Sequence, residues 1–123
     1  MIAGIGVDIV EVDRLQSWAS QPALLDRFFH PRELAACRRG LTYSCMSLAA
    51  RFAAKEALGK ALGGGMRGLV LRDIELVADE LGKPSLQLHA GVGTLLEKAG
   101  IEKVHVSVSH ERSCAIAMVV LEG

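Results

Sequence analysis

Long apolar runs are missing from this 123-residue chain, and none approaches the roughly 20 residues that a membrane span needs. The N-terminus lacks a basic segment followed by a short apolar one, so no secretory signal is expected. Net charge is also missing. Fourteen basic residues balance fourteen acidic ones, which leaves no overall signature of a nucleic-acid or acidic-membrane partner. The three cysteines, Cys37, Cys45 and Cys114, form neither a CxxC pair nor a His/Cys ligand spacing, and an odd count of isolated thiols fits buried residues in a reducing compartment better than a disulfide framework. Repeats, linkers and low-complexity tracts are absent, and the length suits a single domain spanning 1–123. These absences predict a soluble, cytoplasmic protein. Aromatics make up only 4% of residues while half of the chain is hydrophobic, an apolar excess that favours oligomerisation.

The pattern that is present alternates between strand and helix. Ile2, Ile5 and Val7, interrupted by Gly4 and Gly6, predict a strand that lets another backbone come close, with Asp8 at its end. A helix is expected from about Asp13, and a second over Ala23–Phe29 with Pro22 in its first turn and Ser20 as cap. A third is expected from Pro31 to about Arg39, stopped by Gly40. The longest helix begins near Ser44 or Ser47, runs through an alanine-rich stretch and ends at Gly63-Gly64-Gly65. Strands over Leu69–Ala78 and Ser85–His89 flank a turn, a helix over Ala90–Ala99 follows, and Val104–His110 alternates strictly before an apolar strand from Cys114 to Leu121. This order predicts an α+β domain, with a partly antiparallel sheet packed against the long central helix.

Three places combine reactive groups with apolar surroundings: Asp8, the pair Glu56 and Lys60, and Ser107 with Ser109 and His110. Phe52, Glu56 and Lys60 share one helical stripe. An exposed Glu–Lys pair is the plain reading of that spacing, as a helix cap is for Asp8 and outward-facing filler is for the serines. Two carboxylates without cysteine or histidine in their motif suit a hard cation such as magnesium. A lysine beside it suits developing phosphate charge. No GxSxG elbow supports a serine hydrolase.

Gly6-Val7-Asp8-Ile9-Val10-Glu11, Arg51-Phe52-Ala53-Ala54-Lys55-Glu56-Ala57, Gly82-Lys83-Pro84 and Ser107-Val108-Ser109-His110 occur in that order, with Phe29-His30-Pro31-Arg32-Glu33-Leu34 between the first two. In these segments, and over essentially its whole length, the chain resembles the holo-acyl-carrier-protein synthases, the small phosphopantetheinyl transferases of fatty-acid synthesis. The resemblance implies a phosphopantetheinyl-transferase-like fold and transfer of phosphopantetheine from coenzyme A to a serine of apo acyl carrier protein. It also implies Asp8 and Glu56 as magnesium ligands and Lys60 as the group that stabilises the departing phosphate. Pro84, Ser109 and His110 would contact coenzyme A, Arg51 would lie near the nucleotide phosphates, and Arg14 and Arg27 would receive the acidic helix of the carrier. A homotrimer with active sites between protomers is implied as well. Two alternatives remain at this stage: the larger transferase type acting on polyketide or peptide-synthetase carriers, normally a doubled chain, and a non-catalytic carrier-binding subunit.

Overall fold

A computed structural model describes residues 1–123. The chain begins with β1 (Ile2–Glu11), followed by three short helices, α1 (Val12–Ala19), α2 (Pro22–Phe28) and α3 (Pro31–Cys37). A two-residue hairpin, β2 (Arg38–Arg39) and β3 (Thr42–Tyr43), leads to the long helix α4 (Cys45–Leu62). A 3-10 turn at Leu71–Asp73 then opens a second hairpin, β4 (Ile74–Ala78) and β5 (Pro84–Leu88). Helix α5 (Gly91–Lys98) and the strands β6 (Lys103–His110) and β7 (Cys114–Glu122) complete the chain. The main sheet has the order β1-β7-β6, and every pairing in the molecule is antiparallel. No helix is long and apolar enough to cross a membrane.

Helix α4 is the axis of the core. Ser44 caps it, its Oγ accepting from the Ser47 N–H at 3.2 Å, and Gly63, at a φ of 78°, ends it. Its small residues Ala49, Ala53, Ala54, Ala57 and Ala61 are buried and let β1 and β7 lie almost on its backbone. Contact is closest at β1. A methyl group at Gly6 would fall 2.0 Å from the Ala57 carbonyl oxygen, and one at Gly4 would fall 2.1 Å from that of Ala61. Gly4, Gly6, Asp8 and Val10 alternate with Ile5, Val7 and Ile9 and therefore share the face turned to α4.

Local details depart from the sequence reading in five places, the first being that α3 ends at Cys37 and the arginines expected to continue it form β2. Strand β1 runs on to Glu11, so Asp8 lies within it and caps no helix; α1 starts after Glu11 without a side-chain cap. Ser20 donates back to the Ser17 carbonyl and leaves the start of α2 uncapped. The strand expected from Leu69 begins only at Ile74, because the 3-10 turn occupies the preceding residues. Glu75, which strict alternation with Ile74 and Leu76 would turn outward, is buried.

Candidate active site

Because Gly4 and Gly6 seat β1 against α4, the next residue on that face, Asp8, comes to lie beside Glu56 and Lys60 from two turns near the end of the helix. Lys60 Nζ donates to Asp8 Oδ1 at 2.9 Å. The other oxygen, Asp8 Oδ2, is buried and has no hydrogen-bond partner while both carboxyls are ionised; only a protonated Glu56 can bond to Asp8. Glu56 is half-buried, and its carboxyl is pushed above the ordinary carboxylate range, first by burial and then by the negative charge of Asp8 close by. Lys60 is shifted upward by its hydrogen bond to Asp8. The plain reading of an exposed Glu–Lys pair therefore fails: Lys60 turns to Asp8, and Glu56 faces a like charge.

Folding selects against two adjacent carboxylates, one with an orphaned oxygen, unless something else compensates them. Oxygen donors, partial burial and an unsatisfied lone pair match what a hard divalent cation requires. The residues present thus fit a cation held by Asp8 and Glu56.

A cavity of about 260 Å³ lies near the N-terminal half of α4 and is lined by Ser47 and Arg51 from the helix, Leu76 and Ala78 from β4, Pro84 from β5 and His110 from β6. Arg51 donates through Nη1 to the Ser47 carbonyl at 3.3 Å, while its buried Nε has no partner. Three of the four expected coenzyme A contacts, Arg51, Pro84 and His110, are thus brought to one cavity. Ser109 is not. It points with Ser107 to the other face of the sheet, into a shallow recess with Val7, Ile116 and Met118.

Arg14 and Arg27 are exposed on neighbouring helices. The Arg14 guanidinium lies 5.5 Å from the Trp18 ring centroid and 5.3 Å from that of Phe52, and Arg27 covers Phe28 at 5.4 Å. Trp18, Phe28 and Phe52 pack on one another, so both arginines flank a single aromatic cluster. Arg14 also reaches the acidic site electrostatically and moderates the upward shift of Glu56.

Two polar groups escaped sequence reasoning. Lys55 is fully buried and paired with Glu33 at 2.6 Å. On the other side of β4, Glu75 accepts from both Arg32 Nε and Nη2, at 3.1 and 3.0 Å, and pairs with His89 at 2.8 Å. His30 stacks on His89 while its Nδ1 accepts from the Arg32 N–H and caps α3. His30, Glu75 and His89 approach one another as metal ligands would, yet Glu75 already has Arg32 as its counter-charge and His30 already serves the helix. The signals were visible as the Phe29–Leu34 segment and the lysine before Glu56, but nothing in the sequence said which lysine of α4 would be buried.

Residues 4–119 match the family model of the 4'-phosphopantetheinyl transferase superfamily. The chain belongs to that superfamily. Within it, the chain is 45% identical over 123 residues to a holo-(acyl-carrier-protein) synthase of Treponema denticola, with all of both chains covered. The crystal structure of the synthase from Neisseria meningitidis superposes with a TM-score of 0.88 at 41% identity, again over all of both chains. The Helicobacter pylori synthase, solved in complex with coenzyme A, gives 0.82 at 30% identity, covering 96% of this chain and 99% of that one. The phosphopantetheinyl transferase fold expected from the motifs is therefore the observed one.

Proposed function

We propose that this chain transfers the phosphopantetheine group of coenzyme A to a serine of apo acyl carrier protein, with magnesium held by Asp8 and Glu56. The observation that carries this reading is the side-by-side placement of those two carboxylates, one oxygen of which has no partner in the folded chain. The serine belongs to the carrier, which explains why no nucleophile is needed here. Its oxygen forms a new bond to the β-phosphorus of coenzyme A, the pyrophosphate P–O bond breaks, and 3',5'-bisphosphorylated adenosine departs. The cation, when bound, draws electron density from the pyrophosphate and stabilises the leaving phosphate.

The chain's own residues supply the rest. Lys60 sits beside Asp8 with about half of its side chain still open to solvent, placed to meet the departing phosphate. Glu56 is a carboxylate within the site able to accept the serine proton. Arg51 lines the cavity with a guanidinium suited to a phosphate oxygen, and Pro84 and His110 close the nucleotide cavity. Arg14 and Arg27 receive the acidic helix of the carrier, where complementary charge speeds encounter and fixes orientation.

The working molecule is a homotrimer with active sites between protomers. On the main sheet, Ile5, Val7, Ile9, Ile116 and Met118 all face away from α4 and are exposed in the single chain, an arrangement suited to burial against another copy. Ser109 lies on that outward face, so its contact with coenzyme A is made across the protomer boundary. The pathway served is fatty-acid synthesis in the cytoplasm. Mass spectrometry of an apo carrier incubated with the protein, coenzyme A and magnesium tests the function: one phosphopantetheine added per carrier is expected, and an unmodified carrier would overturn the reading.

A further inference from the structure

We infer that Lys55 and Glu33 are positioning residues for the coenzyme A cavity, acting by holding the β4–β5 hairpin at a fixed distance from α4. The inference rests on the assignment of the Arg51 cavity to coenzyme A.

Strand β4 has only one strand partner. The flanking bonds from His89 N–H to Asp73 O and from Asp79 N–H to Lys83 O show that its odd-numbered residues bond to β5. The even-numbered residues Ile74 and Leu76 consequently turn their backbone groups to the free edge, where a third strand would ordinarily lie. No strand is there. Lys55 Nζ donates instead to the carbonyls of Ile74 and Leu71, the latter at 2.9 Å. Glu33 Oε2 accepts from the Leu76 N–H at 3.1 Å. The remaining capacity closes the pair on itself, with Lys55 Nζ 2.6 Å from Glu33 Oε1, which also accepts from the His30 N–H. An ammonium with three acceptors and a carboxylate with three donors thus replace the missing strand. Both groups are fully buried, so the pair has no freedom to relax into solvent.

The hairpin fixed in this way supplies one wall of the cavity, through Leu76, Val77, Ala78, Gly82 and Pro84. The opposite wall includes Arg51, one helical turn before Lys55 on α4. The lysine side chain thus ties the α4 backbone to the β4 backbone, beside the core packing of Ile74 and Leu76, and that tie helps fix how far apart the two walls stand. Asp8, Glu56 and Lys60 do not touch the hairpin network.

Steady-state kinetics on the full chain test this with Lys55→Met/Glu33→Gln, a neutral pair that keeps an acceptor for the Leu76 N–H. The expected result is a KM for coenzyme A raised by about tenfold or more, with kcat and the carrier's KM within about threefold of the parent. The amides of Ile74 to Ala78 should also exchange hydrogen faster. Should that variant fail to fold, Glu33→Asp keeps both charges and shortens the tie by one methylene; it should raise the same KM several-fold with the fold retained. A folded variant whose KM for coenzyme A is unchanged overturns the positioning role, as does one in which kcat and both KM values fall or rise together. Arg51→Ala serves as the reference: if it too leaves that KM unchanged, the cavity assignment fails instead.

Discussion

At neutral pH the Glu56 carboxyl must give up its proton where burial already disfavours charge and Asp8 adds a second negative group. The folded chain holds this proton more tightly than the unfolded chain does. Stability contributed at this position is therefore lost as pH rises from the ordinary carboxylate range through the raised value. Glu56→Gln removes that cost. Its melting temperature in metal-free buffer should exceed the parent's at pH 7 and converge with it at pH 4, while transferase activity falls by at least about 10²-fold. Added magnesium should raise the parent's melting temperature and leave the variant's unchanged; equal responses would remove the cation from this site. Arg14, proposed to receive the carrier, belongs to the same scale. Its guanidinium is exposed over Trp18 and Phe52, outside the nucleotide cavity. Arg14→Glu should raise the carrier's KM by about tenfold, on the order expected for reversing one interfacial charge, with the KM for coenzyme A unchanged. Equal weakening for both substrates would show that the arginine serves the catalytic centre rather than docking.

Elements matter here through how closely they approach. Asp8 reaches Glu56 because β1 lies on the backbone of α4, and that contact exists only where β1 has no side chains. Gly6→Ala places a methyl group 2.0 Å from the Ala57 carbonyl oxygen, a backbone atom that cannot swing aside. Strand and helix must separate. The expected cost is about 2 kcal/mol or more, a fall of roughly 6–10 °C in melting temperature, together with weaker magnesium binding as Asp8 withdraws from Glu56. Calorimetry and a magnesium titration of the folded variant check both. Much of this was legible in the sequence: the strict alternation of Val104–His110, the glycines of β1 and the alanine stripe of α4 each follow from local pattern. Residue type and apolar surroundings marked Asp8 and Glu56 as candidates, but their pairing as ligands came from the resemblance to a known family, since the two meet through tertiary approach. What stayed hidden was the buried side of the β4–β5 hairpin. A period-two reading turns Glu75 outward, whereas Arg32 and His89 reach in to neutralise it. Lys55 likewise follows no helical stripe that marks it as buried; a strand edge without a neighbour determines its place.

For the whole molecule, the unusual feature is which way the apolar residues of β1 point. In an isolated chain, glycines would be expected outside and Ile5, Val7 and Ile9 inside. Here the glycines face the core, and the branched side chains face outward beside Ile116 and Met118. Turning the strand over would bury those side chains but drive their bulk into α4, which the glycine contacts forbid. The outward face is consequently both apolar and obligatory, and the proposed joining of copies of the chain would remove it from water. Substituting Ile5→Lys and Met118→Lys places like charges on this face without touching the packing against α4. Sedimentation should show the parent at about three times its 13.1 kDa chain mass and the doubly substituted protein at the mass of one chain. Its circular dichroism should be retained. Transferase activity should be lost even with Asp8, Glu56 and Lys60 intact if, as proposed, the contact from Ser109 comes from the neighbouring copy. A single-chain variant with full activity would show that one protomer carries a complete site, and a parent that sediments as one chain would leave the outward face without the partner argued for it.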